Sequence, residues 1–138
     1  MIRGMTHAPT LPEPAIIAAD VERALSEDIG AGDATASLLP DRPEVAHVVC
    51  REAAVLAGRA WFEACFRRLD PDMRIEWRYA DADRVPAGAI LCTLHGSSRA
   101  LVSAERCALN FLQTLSATAT TTAAHVAAVA GTGARILD

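Results

Sequence analysis

The sequence predicts an α+β domain, in which helices pack on a mostly antiparallel or mixed sheet. Segments whose apolar residues recur at helical spacing alternate irregularly with segments of strand character. The later strands are separated by short turns, as in β-hairpins. Hydrophobic residues make up 51% of the 138 positions, which suffices for one domain with a modest core. We assign residues 15–112 to this domain and residues 1–14, which hold three prolines, to a flexible arm.

Composition narrows the classes of function. The net charge of −4 does not indicate a nucleic-acid partner. All 13 basic residues are arginine, so cationic recognition in this chain depends on guanidinium groups. The four cysteines lie among apolar residues without a C-x-x-C pair, which favours free buried thiols over zinc ligands. The N-terminus lacks the apolar core of a secretory signal. No apolar run approaches the roughly 20 residues of a membrane span, so we expect a cytoplasmic protein.

The first helix is predicted to begin at Pro14, whose fixed φ suits the first helical position. Ile17 and Val21 lie on one apolar face, and the helix is expected to end near Gly30. The following stretch, EDIGAGDAT at 27–35, has two interpretations, an acidic metal loop or a helix end followed by a turn. Its spacing does not fit a calcium loop, so we favour the helix end, with Asp33 bonding nearby amides.

A strand, a helix and a second strand are predicted in the middle of the chain. Residues 45–51 are apolar and β-prone. Residues 59–69 carry apolar side chains at helical spacing, and Glu63 can pair there with Arg59 or Arg67. Residues 73–79 alternate between apolar and charged side chains, which is typical of a strand with one buried and one solvated face.

The charged positions of that last strand are Arg74, Glu76 and Arg78. An anion site is one interpretation of the two arginines, but the glutamate between them favours a solvated sheet face. Farther along, residues 89–94 are predicted to form a strand, Gly96 a turn and residues 99–102 a further short strand.

A helix within residues 104–122 carries the most informative pattern. Its buried side consists of alanine and leucine at helical spacing. A separate polar stripe has spacings of three and four residues: Ser103, Arg106, Asn110 and Gln113. A solvated face is the ordinary explanation of such a stripe. Ser103 is expected to cap the first turn, where the Glu105 carboxylate is also favourable. A Thr-rich step then leads to a second helical run at 123–130, and residues 135–138 are predicted to begin a strand.

Three segments resemble motifs of the quinolinate phosphoribosyltransferases, also called nicotinate-nucleotide pyrophosphorylases. ERCALNFLQTLS at 105–116 resembles the pattern ER-x-x-LN-x-LQ-x-LS. EDIGAGDAT resembles ED-x-G-x-GD-x-T, and REAAVLAG at 51–58 resembles RE-x-G-VLAG, with Ala54 where glycine is usual. The family usually continues the first motif with GIAT, whereas this chain has ATAT at 117–120.

The resemblance implies a small α/β sandwich ahead of an α/β barrel. It implies a magnesium-dependent enzyme of NAD biosynthesis that converts quinolinate and phosphoribosyl pyrophosphate into nicotinate mononucleotide, pyrophosphate and carbon dioxide. Arg106 matches the motif arginine, which in the family reaches a quinolinate carboxylate in the barrel of a neighbouring subunit, so a homodimer or larger assembly is expected. Glu105 is expected to cap the helix or orient Arg106, and Asn110 to tie the helix to adjacent backbone.

The resemblance also implies that residues 113–138 begin a barrel. The family continues with TRKT after this point, and a barrel needs on the order of 200 residues or more, so we expect an N-terminal fragment that is inactive alone. Two alternatives stay open at this stage. One is a molybdenum-transport-associated relative of the same architecture, and the other is a non-catalytic domain for dimer packing or regulation.

Overall fold

The computed structural model describes residues 10–30 and 34–137. In chain order its elements are α1 (Pro14–Ile29), α2 (Ala34–Ser37), β1 (Pro43–Val49), β2 (Ala54–Val55), α3 (Arg59–Leu69), β3 (Arg74–Trp77), β4 (Arg84–Val85), β5 (Ile90–Ser97) and α4 (Ser98–Ala128). The main sheet has the antiparallel order β1-β5-β3, and β2 pairs with β4 in a small second sheet. The predicted α+β class is therefore confirmed. Within the described ranges, no helix is long and apolar enough to cross a membrane.

Helix α1 begins at Pro14, as predicted, and buries Ile17, Val21 and Leu25. It stops at Gly30, whose φ of 55° lies in the left-handed region and whose N–H donates to the Ser26 carbonyl. The turn predicted at Asp33 and most of the predicted N-terminal arm fall outside the described residues.

The helices cover one face of the main sheet. Cys92 and Leu94 of the central strand β5 are buried in a core that also contains Phe62 of α3. The Phe62 ring lies edge-on to Trp77 of β3, with centroids 5.2 Å apart. On the β1 strand burial alternates, and Val45 stays 55% exposed because it points away from the helices. The alternation predicted for residues 73–79 is confirmed.

The charged surface of α3 also follows the prediction. Glu63 is paired with Arg67 and lies 4.0 Å from the Nη2 atom of Arg59. It further accepts a hydrogen bond of 2.7 Å from the Trp77 indole N–H. Arg59 in turn lies 4.8 Å above the Trp77 ring. This cluster fixes the helix against the edge of the sheet.

The turn predicted at Gly96 is wrong, because β5 continues through this residue to Ser97. A Cβ atom at position 96 would lie 2.5 Å from the Met73 side chain and 2.7 Å from the Asp70 carboxylate. Glycine leaves room here for the Met73 and Asp70 side chains of a neighbouring segment, and the chain does not reverse at this point.

The structure also corrects the predictions around α4, which is one helix of 31 residues. Residues 99–102 lie in its first turns and form no strand. Ser97 caps the helix by accepting a hydrogen bond from Ala100 N–H, so the cap predicted at Ser103 is wrong. The Thr-rich step is also helical, and its threonine hydroxyls donate to carbonyls one turn earlier, as Thr120 does to Ser116 at 2.7 Å.

The end of the described chain differs from the predicted strand. Residues 134–137 have no regular secondary structure. Helix α4 passes position 113 without a break, and residues 124–128 at its end are exposed. The division into domains at 112/113 stays a prediction.

Candidate functional site

A groove of about 720 Å³ lies between the C-terminal half of α1 and the middle of α4. Trp61 of α3 contributes an aromatic wall, and its indole N–H donates to Asp20 at 3.1 Å. The α4 side contributes Arg106, Asn110 and Phe111. This is the surface on which the predicted polar stripe of α4 meets another element.

Arg106 stands at this groove with its side chain 84% exposed. Its Nη1 atom donates to Asp28 Oδ1 at 3.2 Å, and this is the only polar partner of the guanidinium within the described part of the chain. Toward the described residues, the Nε–H and the Nη2 group therefore remain without a partner. Together they form a planar fork that matches the two oxygens of a carboxylate.

Asp28 holds this arginine from α1. Its side chain is only 23% exposed, and it lies in the last turn of the helix, one residue before Ile29. A carboxylate at a helix C-terminus is electrostatically unfavourable, because the carbonyl ends of the helix carry partial negative charge. The Arg106 guanidinium offsets this cost.

Cys107 closes the bottom of the same contact. Its thiol lies 3.4 Å from the Ala24 carbonyl oxygen and also interacts with the Asp28 carboxylate. Burial raises the pKa of the Cys107 thiol, and the charge and hydrogen bond of Asp28 raise it further. The thiol is therefore kept protonated beside Asp28 and does not compete with Asp28 as the counter-charge of Arg106.

The other residues predicted for the site are placed differently. Glu105 is exposed in the interior of α4 and, within the described ranges, makes no ion pair with Arg106. Since the helix begins at Ser98, Glu105 is also too far along to act at its N-terminus. Asn110 lines the groove but is exposed, and neither it nor Gln113 hydrogen-bonds to any described backbone group. The ties predicted for those two amides are therefore absent from this part of the structure.

The ties to neighbouring backbone come instead from Ser116 and Thr120, which sequence reasoning missed. Ser116 Oγ accepts from Ala57 N–H at 3.0 Å and donates to the Ala57 carbonyl at 3.1 Å. Thr120 Oγ1 accepts from Val55 N–H at 2.9 Å. The REAAVLAG segment is thereby bound along α4. The sequence held one indication of this contact, because Ser116 and Ala57 both lie in segments that resemble family motifs.

The charges of the groove limit what it can bind by itself. Among the residues that the structure describes, its lining contains three carboxylates, Asp20, Glu27 and Asp28, and one cationic side chain, Arg106. Such a surface does not suit a multiply anionic ligand, although Arg106 at the mouth can bind one carboxylate or phosphate. No group of three or more His, Cys, Asp or Glu in the described residues is arranged to hold a metal ion.

Comparison with known proteins identifies relatives of this domain. A family model described as the N-terminal domain of quinolinate phosphoribosyl transferase matches residues 33–116. Quinolinate phosphoribosyltransferase (decarboxylating) 1b of Nicotiana tabacum is 37% identical over 131 residues, covering 86% of this chain and 37% of that protein. A probable nicotinate-nucleotide pyrophosphorylase (carboxylating) of Synechocystis is 34% identical over 129 residues, covering 93% of this chain and 44% of that protein.

A solved structure gives the same result for the fold. The nicotinate-nucleotide pyrophosphorylase of Francisella tularensis superposes with a TM-score of 0.84 at 38% identity, over 87% of this chain and 42% of that one. The chain thus spans about two fifths of the length of these relatives. The match of the family model over more than half of the sequence shows that this chain belongs to the quinolinate phosphoribosyltransferase family and carries its N-terminal domain.

Proposed function

We propose that this chain is the N-terminal domain of an enzyme that transfers a phosphoribosyl group from phosphoribosyl pyrophosphate to quinolinate. The products are nicotinate mononucleotide, pyrophosphate and carbon dioxide, a step of NAD biosynthesis. The observation that carries the proposal is Arg106, an exposed guanidinium on a long helix whose Nε–Nη2 fork has no partner in the described part of the chain. In this role it binds a quinolinate carboxylate through two parallel hydrogen bonds.

The active site in this proposal is completed by a second surface. Both substrates are multiply anionic and need several cationic donors, whereas the groove lining offers Arg106 against three carboxylates. We therefore propose a homodimer or larger assembly, in which Arg106 reaches into the barrel of a neighbouring subunit. The bond to pyrophosphate breaks there, and this domain contributes to holding quinolinate in place.

The proposal includes Mg²⁺, which offsets negative charge on the leaving pyrophosphate. The described residues of this chain do not fit a metal site, so no step is assigned to them through the ion. The cytoplasmic location stays a prediction.

The test joins this chain to the barrel domain of the Francisella tularensis relative, with the unaltered relative as the positive control. The Michaelis constant for quinolinate is then measured with Arg106→Lys. Lysine keeps the positive charge but loses the planar fork, which costs about 1.5–3 kcal/mol of binding free energy for a charge-assisted hydrogen bond. The Michaelis constant for quinolinate is therefore expected to rise roughly 10- to 150-fold. Arg74→Lys is the matched control, because Arg74 is also exposed and ion-paired but lies on the open sheet face. If Arg106→Lys leaves this constant unchanged, Arg106 does not bind quinolinate.

A further inference from the structure

We infer that Asp28 is a positioning residue for Arg106: its carboxylate fixes the direction of the guanidinium and so determines which edge meets the substrate. This inference rests on the proposed function of Arg106. It concerns a residue 78 positions away in sequence, on a different helix, which does not itself contact the substrate.

The geometry of the pair supports this role. Asp28 Oδ1 contacts Nη1 at 3.2 Å and leaves the Nε–Nη2 edge open. An arginine that is 84% exposed would otherwise sample many rotamers, and binding would have to order it. Asp28 is itself held on a helix and is only 23% exposed, so it provides a fixed reference point. The guanidinium is thereby ordered before the substrate arrives.

A purely stabilising role explains the pair less well. Ion pairs with one partner this exposed contribute little to folding, since water screens them. Asp28 also lies at the end of α1 where a negative charge is unfavourable, and the last turn of that helix has no basic residue of its own. A residue chosen for stability alone would be neutral or basic at this position. The placement of this carboxylate is explained by its role in orienting the Arg106 guanidinium.

The surroundings of Asp28 leave Arg106 as its cationic partner among the described residues. On its inner side lies the protonated Cys107 thiol, and on the groove side Glu27 and Asp20 are also acidic. Among the described residues, Arg106 is the one cationic side chain lining the groove. In the contact, Nη1 faces Asp28, and the Nε–Nη2 edge is left for the substrate.

The first measurement uses the chain itself and needs no activity. The motion of the Arg106 Nε–H bond is followed by ¹⁵N relaxation in the wild type and in Asp28→Asn, which keeps the shape but removes the charge. We expect a clearly lower order parameter for Arg106 in that variant. The matched control is Glu22→Gln, because Glu22 is also an α1 carboxylate and pairs with Arg68 at 2.7 Å. It is expected to loosen Arg68 and to leave Arg106 unchanged.

The second measurement uses the joined enzyme. Asp28→Asn is expected to raise the Michaelis constant for quinolinate about three- to tenfold, with kcat and the constant for phosphoribosyl pyrophosphate nearly unchanged. In an Arg106→Ala background the same substitution is expected to have no further effect. Should Asp28→Asn impair folding, as judged by circular dichroism, Asp28→Ser is measured in the same two backgrounds.

The outcomes separate the two proposals. If Asp28→Asn weakens quinolinate binding equally in the Arg106→Ala background, Asp28 acts independently of Arg106 and the inference is wrong. If Arg106→Lys weakens binding but Asp28→Asn has no effect on binding or on Arg106 motion, the inference is wrong while the proposed function stands. If Arg106→Lys itself has no effect, the proposed function fails, and the relaxation data still decide whether Asp28 orders Arg106.

Discussion

Substitution of Gly58 by alanine is expected to destabilise the domain strongly, because two separate requirements meet at this position. Gly58 has a φ of 101°, in the left-handed region that L-residues with a side chain rarely adopt. A Cβ atom there would also lie 2.8 Å from Leu115 Cδ1 and 3.2 Å from Leu115 Cβ. Rotation of the leucine relieves the first contact but not the second, since Cβ is fixed to the backbone of α4.

The expected magnitude combines these effects. The left-handed conformation costs about 1–2 kcal/mol for a residue with a Cβ atom, and overpacking typically costs about 1–3 kcal/mol. Alanine recovers about 0.4–1 kcal/mol by restricting the unfolded chain. The net loss in free energy of unfolding is therefore about 1–4.5 kcal/mol. With an unfolding entropy near 2.1 cal/mol/K per residue, this corresponds to a fall in Tm of about 3–16 °C for a chain of 138 residues.

Thermal and urea unfolding followed by circular dichroism provide the assay. The matched control is Gly88→Ala, because Gly88 has a φ of 81° but nothing within 4 Å of the added Cβ. It isolates the conformational cost, which is expected to be about 1 kcal/mol or less after the gain in the unfolded chain. In a Leu115→Ala background, the part of the extra cost of Gly58→Ala that comes from the 2.8 Å contact with Cδ1 should disappear, whereas the part from the 3.2 Å contact with Cβ should remain. Equal losses for Gly58→Ala and Gly88→Ala would refute the contact between the REAAVLAG segment and α4.

Three further predictions follow from the same structure. Ser116→Ala removes both hydrogen bonds to Ala57 and is expected to lower the free energy of unfolding in urea by about 1–3 kcal/mol. Thr118→Ala, which loses only a bond within α4, should change this free energy by less than about 0.5 kcal/mol. Burial raises the pKa of the Cys92 thiol from 9.0 to about 12, so the folded state holds this proton more tightly than the unfolded chain does. The free energy of unfolding should therefore fall as pH rises from about 9 towards 12, and Cys92→Ala should make that fall less steep. Val126 is 52% exposed at the end of α4, and self-association measured by light scattering should decrease in Val126→Ser; an unchanged particle size would show that this surface does not mediate it.

Local patterns predicted the elements whose cause is local. Helix α1 begins at Pro14 because the proline fixes its first φ, and it ends at Gly30 because only glycine readily takes that φ. Helix α3 and the alternating strand at 73–79 follow from their periodicity, since one face of each is buried. These features can be derived without knowledge of the neighbours.

Features caused by distant residues were not predictable in this way. Gly96 is typical of a turn in sequence, and its actual surroundings, Met73 and Asp70, come from a different segment of the chain. The sequence pattern predicted the cap at Ser103, whereas the helix begins earlier, directly after the strand that ends at Ser97. For the site, the motif resemblance identified Arg106. Its partner Asp28 lies 78 positions earlier, and no periodicity connects residues on two helices.

The two parts of the α4 motif act together through the rigidity of the helix. Ser116 and Leu115 fasten α4 to the REAAVLAG segment, and Arg106 lies about 13–15 Å away along the axis at about 1.5 Å per residue. This fastening fixes the rotation of α4, and Asp28 fixes the guanidinium that the rotation presents. The direction of Arg106 is therefore set by two contacts from different segments, neither of which meets the proposed substrate. A domain that lost either contact would keep the arginine but lose the orientation on which its proposed binding of a carboxylate depends.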